Sequence, residues 1–136
     1  MIEVGEYKVA DCEALETPVM VVFQPQLQHN LRAVCDLAEG GANLMVHVKT
    51  HKSAAVTRLQ LEAGVAGFKC ATLKELEMVL DEGAAEAILA YPLLQRRKVE
   101  RLMELAAAHP RARVTATVSD PAHLSVLAEV ANARGQ

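Results

Sequence analysis

Residues 47–53 read HVKTHKS and place two lysines and two histidines close together, directly after the apolar run Leu44-Met45-Val46. A lysine amine becomes a nucleophile when it is neutral, and partial burial at the mouth of a fold lowers its pKa toward that state. Lys49 directly follows the strand-like run LMVHV and is the residue placed for this chemistry. His51 and Lys52 lie next to it, where they offer protons, contact an anionic group or form its electrostatic surroundings. His47 and His51 are four apart, but a strand-to-turn segment does not bring them to one face, so they do not read as a metal pair. A solvated basic turn is the plain alternative, since lysines are mostly surface charges. Two further residues end apolar runs. Cys70 reads as a small core residue, with a reactive thiol as the alternative, and Tyr91 either touches a ligand or closes the core.

Such residues need a frame that holds them, and the pattern supplies one. Short runs rich in Val, Ile and Leu predict strands over Val19–Phe23, Asn43–Val48, Gly67–Ala71, Ala87–Tyr91 and Arg113–Val118. Helices are predicted between them. One runs from about Pro25 to Glu39 and ends at Gly40-Gly41. A second opens at the N-cap Ser53 and stops at Gly64. A third starts with the capping box TLKE, in which Thr72 accepts from the Glu75 amide while the Glu75 side chain reaches back. A fourth follows Pro92 and runs to His109-Pro110, and a fifth opens on Asp120-Pro121. The phrases EAGVAGFKCAT and DEGAAEAILAY repeat one order: helix end, glycine, short link, strand. Repeated βα units imply a parallel sheet with strands buried on both faces, either an open doubly wound sheet or a (β/α) barrel. In both, functional groups sit at the carboxyl ends of strands, where Lys49 lies.

The chain has 136 residues, about half of what an eight-fold barrel takes, and its last helix ends where another strand is expected. It therefore reads as a small α/β domain or as the front part of a larger barrel. A net charge of −3 argues against a nucleic-acid or polybasic membrane surface. No apolar stretch is long enough to cross a membrane. The start lacks a signal-peptide pattern, and three widely spaced cysteines fit a reduced cytoplasmic protein. Arg96, Arg97 and Lys98 read as a solvated face, and His29, His109 and His123 as surface residues.

TPVMVV at Thr17–Val22, HNL at His29–Leu31, and HVKTHK followed by Cys70-Ala71-Thr72, Glu75 and Glu77 resemble the D-threonine aldolase / D-serine dehydratase family. These are fold-type III pyridoxal-phosphate enzymes related to alanine racemase. The resemblance implies an α/β fold: a partial (β/α)8 TIM-like barrel of about four βα units, spanning 1–136 as an incomplete alanine racemase-like barrel domain. It implies that the strand at 17–23 lies outside the barrel and pairs with a C-terminal β-domain. It implies pyridoxal 5'-phosphate as cofactor, held as a Schiff base by Lys49, with His51, Thr50 and Tyr91 as further cofactor contacts. The reaction implied is aldol cleavage or dehydration of a D-amino acid. The family's divalent metal, zinc or manganese, is bound in the C-terminal domain, so no metal ligands are expected here, and the full-length family is homodimeric. Two positions depart from the family pattern. Phe23-Gln24-Pro25 stand where an acidic residue is usual, and Met45-Val46 stand where Arg-Pro commonly precedes the motif histidine. A racemase or a pyridoxal-phosphate carrier of the same fold, or a small non-catalytic α/β domain, are the competing readings. On the enzyme reading the chain is a truncated piece, of low activity by itself, with an unpaired strand edge.

Overall fold

The structure, a computed structural model, describes residues 1–135. It opens with a hairpin that the sequence pattern did not reveal: β1 (Ile2–Val4) pairs antiparallel with β2 (Tyr7–Val9). Strands of three residues are too short to show a period of two. An irregular stretch then leads to α1 (Gln24–Leu37).

The strand expected over Val19–Phe23 does not form. The segment pairs with no strand, and Val19, Met20, Val21 and Val22 are exposed. Its valines carry the β propensity, but propensity without an adjacent ladder yields no strand.

Four βα units follow. They are β3 (Met45–His47) with α2 (Ala54–Glu62), β4 (Gly67–Cys70) with α3 (Leu73–Asp81), β5 (Glu86–Leu89) with α4 (Arg96–Ala108), and β6 (Arg113–Ala116) with α5 (Pro121–Arg134). The local signals act as their chemistry dictates. Ser53 Oγ accepts from the Val56 amide at 3.4 Å, Thr72 Oγ1 from the Glu75 amide at 3.2 Å, and Asp120 Oδ1 from the Ala122 amide at 2.8 Å. Gly64 and Gly83, with φ of 80° and 90°, turn the chain after α2 and α3.

The sheet is parallel throughout, in the order β3-β4-β5-β6. Its two faces differ. Phe68, Cys70, Ala87 and Leu89 turn toward the helices and join Leu76, Val79, Leu80, Leu102 and Leu105 in the core. The opposite face carries the register row His47, Lys69, Ile88 and Thr115. Lys69 and Thr115 are exposed there, so burial on both faces, expected for parallel strands, holds for one face only. Four strands cannot close around the other face as eight do in a barrel.

One histidine also differs from its expected surface role. His109 lies 3.2 Å from Asp81 Oδ1 through Nε2 and 3.0 Å from the Leu105 carbonyl through Nδ1, joining the ends of α3 and α4.

Candidate functional site

The carboxyl end of β3 does not pass straight into α2. Val48–Thr50 form a single 3₁₀ turn, with Val48 fully buried and Lys49 and Thr50 exposed. Val48 anchors the turn in the core, and the next residue projects from it. The Lys49 amide donates to His47 Nδ1 at 3.4 Å. The Thr50 hydroxyl donates to the His47 carbonyl at 3.5 Å. The amides of His51 and Lys52 both donate to the Val48 carbonyl, at 3.1 and 2.8 Å. The turn is thus closed by its own backbone and by the ring of His47.

Among the described residues, the lysines paired with a carboxylate are Lys8, with Glu3, and Lys52, with Glu75. Lys49 is not; in these four βα units its side chain is exposed rather than partly buried as the sequence led us to expect, because no further strands close over the open face, and it is unpaired at a strand end. Burial, and after it the Lys49 charge, hold the His47 imidazole below its ordinary pKa. Burial does the same for His51. Both rings are therefore neutral near pH 7. The bond from the Ser53 amide to His51 Nδ1, at 3.1 Å, places the His51 proton on Nε2, which is buried.

Cys70 is fully buried, and burial, then the charge of Glu75, pushes its thiol up to about 12. That rules out a reactive thiolate at neutral pH and leaves Cys70 as a core residue.

These shifts fix a pH window for stability. Below the ordinary histidine value of 6.5, the unfolded chain gains protons that folded His47 and His51 refuse, so stability falls with falling pH. Above the ordinary thiol value of 9.0, the unfolded chain releases a proton that folded Cys70 retains until about 12, so stability falls with rising pH. A thermal midpoint measured from pH 5 to 10 is expected to plateau between these limits. A midpoint still climbing at pH 10 would contradict the burial of Cys70.

The structure brings Lys49, Thr50 and His51 into one turn. Tyr91 is not with them. It is exposed beyond the end of β5, with β4 between its strand and β3, and no hydrogen bond links it to the turn. Two residues at the site were not singled out for it from sequence. Lys69 is the register partner of His47 on the open face, and its place alternating with buried Phe68 and Cys70 was the available signal. Glu75 was read as a helix cap and as part of the family motif but not as a site residue, yet it is buried, with 4% relative exposure.

The alanine racemase N-terminal domain family matches residues 24–136. The chain belongs to this family. As an alanine racemase N-terminal domain it has curated and solved relatives. It is 32% identical over 89 residues to D-threo-3-hydroxyaspartate dehydratase of Delftia sp. (strain HT23), an alignment covering 65% of the chain and 23% of that protein. It is similar to the crystal structure of D-threonine aldolase from Filomicrobium marinum, with a TM-score of 0.75, 28% identity, and coverage of 89% of the chain and 32% of the aldolase. A variant of D-threo-3-hydroxyaspartate dehydratase superposes with a TM-score of 0.77 and 25% identity over 90% of the chain and 31% of that protein. The alanine racemase-type domain described here thus spans less than a third of the length of these relatives. Its four βα units form part of a TIM-like barrel, as the sequence resemblance implied.

Proposed function

We propose that the chain carries the cofactor-attachment part of a pyridoxal-phosphate-dependent enzyme acting on D-amino acids, with Lys49 as the attaching amine. The observation that carries this reading is the position of Lys49. It is an exposed, carboxylate-free amine on a hydrogen-bonded turn at the carboxyl end of β3, next to a neutral histidine, in a domain of this family. The residues present fit the aldehyde end of the cofactor. They do not fit a metal: among the described residues no three His, Cys, Asp or Glu side chains gather to hold one. Bound at Lys49, the cofactor would supply the electron sink that stabilises negative charge on the substrate Cα.

The chain's own residues supply placement. Val48 fixes the turn to the core, and His47 holds the Lys49 amide through Nδ1. The two named relatives support a substrate of the D-3-hydroxy amino acid class, cleaved or dehydrated at the Cα–Cβ side. Three free cysteines, with Cys70 protected by burial, agree with a reducing compartment, and we assign the protein to the cytoplasm.

The test is direct. Incubation with pyridoxal phosphate, reduction with borohydride and peptide mapping are expected to place the pyridoxyl label on Lys49. A label spread evenly over Lys69, Lys74 and Lys98 would overturn the reading.

A further inference from the structure

The motif KTHK holds two lysines three residues apart, and the reading above uses one of them. The other has a different environment. Lys52 takes the left-handed conformation, with φ 47°, which a lysine adopts at an energetic penalty and keeps only when its surroundings require it. Its amide is tied to the Val48 carbonyl, and its Nζ lies 3.4 Å from Glu75 Oε1.

Glu75 explains why that geometry persists. Its carboxylate is buried at the start of α3, and Oε2 accepts from the Ala71 amide at 2.7 Å. The capping box is therefore shifted by one residue, since the side chain reaches the amide before the N-cap rather than that of Thr72. Oε1 is left buried with no hydrogen-bond partner, facing Lys52. An ionised carboxylate in this position requires a cation, and Lys52 is the cation in reach. Through these contacts one carboxylate spans two loops, the β3–α2 loop by Lys52 and the β4–α3 loop by Ala71. The same charge also acts on His47 and His51.

We propose that Glu75 is a positioning residue that selects between the two lysines: it holds the Lys52 side chain in an ion pair and leaves that of Lys49 unpaired and open to an aldehyde. This rests on the assignment of Lys49 as the attachment site and deepens it. The chemistry balances simply. A neutral amine condenses with an aldehyde and releases water, and a lysine held in an ion pair with a buried carboxylate must leave that pair before it can react.

The test measures the reactivity of individual lysines in the intact chain. Under limiting formaldehyde and cyanoborohydride, Lys52 in the wild type is expected to be methylated about fivefold more slowly than Lys74, which is exposed and unpaired. In Glu75→Gln, which keeps an oxygen for the Ala71 amide but removes the charge, Lys52 is expected to react like Lys74. With pyridoxal phosphate and borohydride, the label on Lys52 is expected to rise at the expense of Lys49 in that variant. Equal methylation of Lys52 and Lys74 in the wild type overturns the proposal even if the variant fails to fold. An unchanged division of label between Lys49 and Lys52 in a folded Glu75→Gln also overturns it. Absence of label on Lys49 in the wild type, with Lys52 still slow to methylate, overturns the attachment site instead.

Discussion

In Lys49→Ala, covalent capture of pyridoxal phosphate is expected to fall about tenfold or more, with the fold intact. The side chain is exposed and makes no ion pair, so its removal is expected to change stability by no more than about 0.5 kcal/mol. The hydrogen bond to His47 comes from the backbone amide and survives truncation. What is lost is the single amine that the turn presents at the strand end. Lys69, the register partner of His47 on the open face, stays available but lacks the turn that orients Lys49. Visible absorbance on adding the cofactor, with far-ultraviolet circular dichroism as the control for folding, measures the difference. Equal absorbance from wild type and variant would remove Lys49 from the site.

The largest expected effect on stability is at Phe68. It is the bulkiest fully buried side chain, in a chain with few aromatics, and it sits on β4 against the helix layer. Phe68→Ala removes its transfer free energy and leaves a cavity, an expected loss of about 3–5 kcal/mol. Against the total of about 5–15 kcal/mol typical of a domain, this is a large share. The thermal midpoint is expected to drop by roughly 10–20 °C. The same substitution bears on the site, because Phe68 precedes Lys69 and packs the strand whose far end carries Ala71 and the Glu75 contact. Chemical denaturation of the variant measures the loss; a change below about 1 kcal/mol would mean that the helix layer does not close over β4.

Much of the frame was legible because its signals are local. The caps Ser53, Thr72 and Asp120 and the stops Gly64 and Gly83 each act within a few residues, and the helices fell where these residues placed them. The strand positions followed from β-branched and aliphatic runs bounded by those signals. What was not legible depends on a distant partner. Val19–Phe23 has a strand's composition but lies beside no ladder. The pairing of His109 with Asp81 joins two helices and leaves no trace in either one's pattern. Glu75 shows both sides of this division. Its cap is written in TLKE, but its second oxygen meets Lys52 only because two loops converge at one end of the sheet. Lys49, Thr50 and His51 were adjacent in sequence and stayed together, while Tyr91 was added from a different strand and stands apart.

The strands lie side by side in the order in which they occur along the chain. Each new strand therefore docks on the one made just before it, and no finished pairing has to open to admit a later one. Contacts are short in sequence, which favours rapid assembly, and during synthesis the sheet can grow from its amino-terminal side as residues leave the ribosome. The β3–α2 loop is translated early, but its Lys52 finds no partner until Glu75 has emerged and α3 has begun to wind. A nascent chain that stops short of residue 75 would carry Lys52 without the carboxylate that pairs it.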